Sequence, residues 1–310
     1  MDLVAQIQDT ELGPSLIERT GGIFTPFLEE KRAQITGHPK KSFKYGPTDR
    51  HQLDVYYPTN VEATAQVPVL FWIYGGGFVR GDRNLPAPRN LIYSNVGTYF
   101  AQRGFLTIIP DYRLAPGVQF PEPHKDVYDA VRWAVKNIPQ EFPQAETEQI
   151  FLMGHSAGAS HVITATLHAE TAQAYSDIRP RIAGLCLFAG PYHPTNDFAP
   201  SVEAYWGGIE KAKENSALGL LHSASDEIIS GLPPMVFLEA EREPEWLRGT
   251  RINLQRALRE SRGIPDAPII LAKGHNHISP PACLQSGQGE EWAENVIQWI
   301  QGVLAKNAQK

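Results

Sequence analysis

From residue 52 onward, short apolar runs alternate with amphipathic stretches. The runs near 52–57, 67–73, 105–110, 149–153, 182–189, 234–240 and 268–272 have strand length, and several, such as Val69-Leu70-Phe71-Trp72-Ile73, are apolar at consecutive positions. Consecutive rather than alternating apolar residues mark strands covered on both faces. Residues 124–138, 157–173, 245–262 and 288–305 read as helices. Strand and helix in alternation predict a mostly parallel sheet flanked by helices, with functional residues at the C-terminal ends of the strands. Residues 1–36 carry an amphipathic pattern outside that sheet, from Leu3 and Ile7 through Leu16, Phe24 and Leu28, with Pro14 and Pro26 expected to break it. The stretch 191–231 is too long for a simple connection. It is expected to form a cap together with the N-terminal segment, in which Tyr192, Phe198, Tyr205 and Trp206 either lie over the mouth of a site or pack the cap onto the sheet. The expected organisation is a cap segment over 1–50 and a main α/β domain over 51–310 with the insertion at about 191–231.

At 310 residues, 42% of them hydrophobic, the chain can build one large α/β domain. The formal charge of −6, without a dense basic patch, excludes nucleic acid as the expected partner. Cys186 and Cys283 are the only cysteines, so a disulfide scaffold is not expected and a reducing compartment is. The acidic, polar start does not resemble a signal peptide, and no run approaches the roughly 18 apolar residues of a membrane span. A cytoplasmic protein without a membrane partner is therefore expected. The last helix, with Trp292, Val296, Ile297, Trp299 and Ile300, is expected to pack on the sheet; the oligomeric state is left open, a homodimer included.

Gly154-His155-Ser156-Ala157-Gly158 follows the run 149–153 and precedes a helical stretch. This is the context of a nucleophile elbow, in which a serine is raised above the sheet on a turn too crowded for large neighbours. Upstream, the run 67–73 enters Tyr74-Gly75-Gly76-Gly77-Phe78, whose glycines let backbone N–H groups face a developing oxyanion. A serine needs a base, and the base needs an orienting group. The two late strands lead into Glu239-Ala240-Glu241-Arg242-Glu243-Pro244 and into Gly274-His275-Asn276-His277. Glu243 is preferred as the acid because Pro244 places it in the turn past the strand, with Glu241 as the alternative. His277 is preferred to His275 because it lies farther along the loop. A His275–His277 metal clip lacks a nearby third ligand, so neither a metal nor another cofactor is expected. His155 is expected to pack beside the serine, and His161 is carried off the site along its helix. His193 is a candidate to line an acyl pocket, and Arg80, Arg83 and Arg89 are expected to be solvated in their polar loop, the alternative being that they receive a substrate carboxylate.

These motifs, together with Asp111-Tyr112-Arg113-Leu114-Ala115-Pro116, Phe120-Pro121, Asp126-Val127-Tyr128 and Leu232-Pro233-Pro234, fall in one order over residues 50 to 310. In that order the chain resembles the hormone-sensitive-lipase-like family of α/β-hydrolase esterases, with some similarity to arylformamidases over 154–159. The resemblance implies an α/β-hydrolase fold with Ser156 as nucleophile, Glu243 as acid and His277 as base. It further implies an oxyanion hole from the N–H groups of Gly76, Gly77 and Ala157. Separately from the resemblance, a substrate pocket is expected near Tyr74, Phe78, His193, Tyr205 and Trp206. The chain departs from the family at Tyr74, where a histidine is usual and where a hydroxyl turned to the oxyanion is the alternative role. It departs again at Glu243, where aspartate is commoner, at Gly117, and at Ile278-Ser279. The implied activity is hydrolysis of a small-molecule carboxylic ester or lactone, of short to medium acyl chain, through an acyl-enzyme. The alternatives are an arylformamidase-like amide hydrolase and a non-catalytic receptor on the same fold, against which the presence of serine, acid and histidine together argues.

Overall fold

The computed structural model of the chain describes residues 1–7, 11–59, 61–62 and 64–309, with only the backbone at 198 and 199. Phe198, one of the aromatics expected in the cap, therefore lies outside the described side chains. Among the described residues, eight strands form one sheet: β1 Lys40–Lys44, β2 Gln52–Tyr56, β3 Val67–Ile73, β4 Leu106–Pro110, β5 Ala145–His155, β6 Ile182–Phe188, β7 Met235–Arg242 and β8 Ile269–Asn276. Their order is β1-β2-β4-β3-β5-β6-β7-β8. β1 and β2 are antiparallel to their neighbours, and every pair from β4 to β8 is parallel. The consecutive apolar residues of β3 and β5 occupy the centre, where Leu70, Phe71, Trp72, Ile150, Phe151 and Leu152 are fully buried. Because these strands run the same way, Ile73, His155, Phe188, Arg242 and Asn276 all end at one edge.

The seven expected strands are present. β1 was not anticipated, because Lys-Lys-Ser-Phe-Lys has no apolar run; it is an exposed edge strand held by its ladder to β2. The buried helix Ser94–Ala101 was likewise not expected. The proline at 26 does not break the N-terminal pattern: one helix runs Pro14–Glu30. Pro14 stands at its first position, where the missing N–H costs nothing. Pro26 forfeits one bond, which burial of Leu16, Thr20, Phe24 and Leu28 offsets. The helix expected over 157–173 divides at His168, which is extended, into Ala157–Leu167 and Ala169–Ala174. Residues 191–231 carry four short helices, Ala199–Trp206, Ile209–Asn215, Ala217–Ser223 and Asp226–Ser230. The last helix, Glu291–Asn307, buries Trp292, Val296, Ile297 and Ile300, and its Trp299 meets Phe151 of β5 edge-on.

His161 and His275 are among the histidines that this packing holds neutral. Burial lowers the pKa of His161 to about 3 and that of His275 to about 4. Unfolding frees both rings to take up protons near their ordinary value of about 6.5, so the unfolded state binds more protons below it. Their contribution is complete above pH 6.5 and is lost as the pH falls toward 4, by about 3 kcal/mol per pH unit for the two together. Urea midpoints measured from pH 7.5 to 4.5 should be level at the top of that range and drop steeply below about pH 6. A level profile throughout would contradict the buried neutral rings.

Candidate active site

β5 ends at His155, and Ser156 has φ 55° and ψ −125°, a conformation that costs a residue with a side chain. The Ser156 N–H donates to the carbonyl of Phe188 at the end of β6, 2.8 Å away, and the next helix starts at Ala157. The turn tolerates no bulk on either side. A Cβ on Gly154 would lie 2.4 Å from the Gly158 carbonyl oxygen, and one on Gly158 would lie 2.0 Å from that of Ile73. A Cβ on Gly75 would lie 2.7 Å from the Ser156 Cβ, so the glycine loop rests directly against the serine. Gly76 has φ 138° and Gly77 φ 61°. The Gly76 carbonyl accepts from Val79 and Arg80 and closes the loop into a turn. Among the described residues, no backbone carbonyl accepts from the N–H of Gly76, Gly77 or Ala157.

The structure separates the rival carboxylates. β7 continues to Arg242, so Glu239 and Glu241 lie within the strand. Buried Glu239 accepts from Arg248 at 2.5 Å and Arg251 at 2.8 Å, while exposed Glu241 accepts from the Gly274 N–H at 2.7 Å. Glu243 lies past the strand, its N–H bonded to the Ala240 carbonyl, and Pro244 precedes the Glu245–Arg262 helix in an extended conformation. Its Oε1 accepts from Nδ1 of His277 at 2.5 Å, with both side chains buried. That bond places the ring proton on Nδ1 and leaves Nε2 of His277 as the basic nitrogen. His275 is still within β8; it donates from Nε2 to the Gly289 carbonyl at 2.7 Å and meets Ser279 through Nδ1 at 2.8 Å.

Several residues that hold His277 carried no sequence signal. His155 donates from Nε2 to the His277 carbonyl at 2.9 Å and stacks on Trp72, and burial holds its pKa well below the ordinary value. The Asn276 side-chain carbonyl accepts from Ile278 and Ser279 at 3.1 and 3.0 Å, and its amide donates to Thr20 at 2.9 Å. Arg242 donates to the carbonyls of Val4 and Ile7. The N-terminal segment thus grips the residue immediately before Glu243 and the one immediately before His277. Contacts between positions more than 200 apart leave no local pattern to read.

A cavity of about 1390 Å³ opens over Ser156, Glu243 and His277, with Gly75, Gly76 and Gly77 on its wall. Leu12, Ile17 and Gly21 line it from the N-terminal segment, Asp197, Pro200 and Ser201 from the insertion, and Tyr93 and Trp246 from elsewhere. None of Tyr74, Phe78, His193, Tyr205 and Trp206, around which the substrate pocket was expected, lines this cavity. Tyr74 is buried among the loops at the strand ends, donating to Asp111 Oδ1 at 2.6 Å and accepting from Arg50 at 2.7 Å, so its hydroxyl is taken up by those two partners. Burial, with Asp111 next to it, pushes its pKa well up. His193 is bonded to the Pro194 carbonyl and to Asn253. Phe78, Tyr205 and Trp206 pack on one another in a separate cluster. Arg83 is held by Asp54 and Asp111, whereas Arg80 and Arg89 line the cavity. Among the described residues there is no cluster of His, Cys, Asp and Glu suited to a metal ion, and no helix long and apolar enough to cross a membrane.

The family model described as BD-FAE matches residues 53–247, which is more than half of the chain. The chain belongs to the BD-FAE family. Membership agrees with the resemblance of its motifs to hormone-sensitive-lipase-like α/β-hydrolases. This BD-FAE member is 29% identical over 136 residues to probable carboxylesterase 7 of Arabidopsis thaliana, covering 41% of this chain and 42% of that one. The chain thus spans about two-fifths of the length of that curated relative. Its fold is similar to that of esterase B from Lactobacillus rhamnosis, with TM-score 0.71 and 16% identity over 95% of this chain and 98% of that one. It is also similar to the hyperthermophilic esterase of the archaeon Pyrobaculum calidifontis, with TM-score 0.66 and 19% identity over 99% and 96%. These likenesses establish the α/β-hydrolase fold.

Tyr74→Phe tests where that hydroxyl acts. Removing it leaves Asp111 and Arg50 each short of a buried partner, so urea unfolding should show a loss of about 1–3 kcal/mol. Phosphonylation of Ser156 by a fluorophosphonate should continue near the wild-type rate. Unchanged stability with a large loss of reactivity would return Tyr74 to the reacting atoms.

Proposed function

We propose that the protein hydrolyses carboxylic esters through an acyl-enzyme on Ser156, with His277 as general base and Glu243 orienting it. The observation that carries this reading is the 2.5 Å bond from His277 to Glu243, on the cavity that also exposes a serine held at φ 55°. The relative and the structural neighbours whose names read carboxylesterase or esterase support the same class. In the first half-reaction Ser156 Oγ attacks the carbonyl carbon and its proton passes to Nε2 of His277. Glu243 stabilises the resulting imidazolium. The N–H groups of Gly76, Gly77 and Ala157 take the charge on the tetrahedral oxygen, and fixed dipoles of this kind act more strongly in a site shielded from water. The intermediate expels the alcohol, which takes the proton from His277. Water, deprotonated by the same nitrogen, then attacks the acyl-serine and releases the acid.

In this reading the segment 1–50 and the insertion at about 191–231 act as a cap, each supplying cavity wall. The substrates proposed are small-molecule esters or lactones of short to medium acyl length. The test is steady-state hydrolysis of p-nitrophenyl esters from acetate to decanoate by the wild type, Ser156→Ala, His277→Ala and Glu243→Ala. Loss of Ser156 or His277 should lower kcat by about a thousandfold or more, and loss of Glu243 by somewhat less, with folding retained. A folded wild type that leaves every ester intact but cleaves an aryl formamide would replace the ester reading with the amide one.

A further inference from the structure

Phe78 directly follows the glycines of the oxyanion loop, is fully buried and has φ 68°, a conformation that a bulky residue keeps only when its surroundings hold it there. Its ring lies parallel to that of Tyr205, 4.3 Å away and tilted by 4°, and meets Trp206 edge-on at 4.9 Å. His161 closes a third side at 5.2 Å. Tyr205 and Trp206 end the Ala199–Trp206 helix of the insertion, whose other end, at Pro200 and Ser201, lines the active-site cavity. Fully buried Ala157, the other proposed oxyanion donor, belongs to the same cluster. Two backbone bonds tie the cluster down: Ala115 N–H to the Phe78 carbonyl at 3.0 Å and Phe120 N–H to the Tyr205 carbonyl at 2.9 Å.

We infer that the stack of Tyr205 on Phe78 is a positioning device, by which the insertion helix that faces the substrate holds the N–H donors of the glycine loop at the reacting carbonyl. The inference rests on the esterase reading for its role in turnover, while the clasp itself is a property of the loop. Tyr205 touches no reacting atom. Its ring keeps Phe78 in the left-handed region, and the Phe78 backbone fixes the direction of the preceding peptide groups. A loosened stack lets the donors tilt away, which weakens the transition state more than ground-state binding. The Tyr205 hydroxyl, 3.3 Å from Nδ1 of His161, is not needed for this.

The test compares wild type, Tyr205→Leu, Tyr205→Phe and Phe78→Leu, each checked for folding by circular dichroism and thermal melting. Ester kinetics and the rate of Ser156 phosphonylation by a fluorophosphonate are measured on all four. Tyr205→Leu should lower kcat by about ten- to a hundredfold with KM within about threefold, and slow phosphonylation in proportion. Phe78→Leu should behave alike, and Tyr205→Phe, which keeps the ring, should stay near wild type. Phe78→Leu carries the test if Tyr205→Leu does not fold. Folded variants with wild-type kcat and labelling rate overturn the clasp, as does a loss that Tyr205→Phe shares in full. Wild type that is labelled but hydrolyses no ester overturns the ester reading alone; the labelling rates then decide the clasp.

Discussion

A serine held at φ 55° and ψ −125° between the last residue of a strand and the first of a helix is the constraint on which the rest of the molecule turns. The turn brings backbone to within van der Waals distance of backbone on both sides, which is why positions 154, 158 and 75 carry no side chain. It also requires a rigid floor. Parallel strands β3, β5 and β6 provide one: the Ser156 N–H is anchored on the end of β6 and Gly158 rests on the carbonyl of Ile73 at the end of β3. A sheet whose central strands are covered on both faces does not yield, and the strain at one residue is held by the packing of many.

Around that fixed point the remaining groups arrive from separate segments, each with its own support. The His277 ring is oriented by Glu243, its carbonyl by His155, and its loop by the Asn276 side chain. Asn276 is in turn bonded to Thr20, and Arg242 to the carbonyls of Val4 and Ile7. The N-terminal segment therefore braces two strand ends as well as forming cavity wall. On the opposite side, Tyr74 stands where the resembled family usually has a histidine. Its hydroxyl joins Asp111 and Arg50, while the Tyr112 hydroxyl donates to its carbonyl, so the base of the glycine loop is fixed by a buried polar network.

The strands, the serine turn and the glycine loop were legible because their determinants are local. Consecutive apolar residues specify a buried strand, and glycines at 154 and 158 specify a turn too tight for side chains. Pro244 performed the same service for Glu243, since an extended residue before a helix forces a turn where the chain leaves β7. The aromatic positions left two readings open. Phe78, Tyr205 and Trp206 look alike in sequence whether they face a cavity or each other, and in the structure they stack beneath the loop, which buries all three. Pro26 misled, as a breaker inside a helix that tertiary burial sustains.

The sequence by itself determined the fold class, the position of the serine and the short list of acids and histidines, because hydrophobic period and turn chemistry act over a few residues. Only the tertiary structure decided that Glu243 rather than Glu241 meets a histidine, that His277 rather than His275 receives it, and that the Tyr74 hydroxyl joins Asp111. It alone drew the cavity wall from segments as distant as Leu12 and Trp246. The physical reason is that hydrogen bonds and packing between far-separated residues are selected by the folded arrangement, after local preferences have been satisfied, and a linear pattern does not encode which distant partner is within reach.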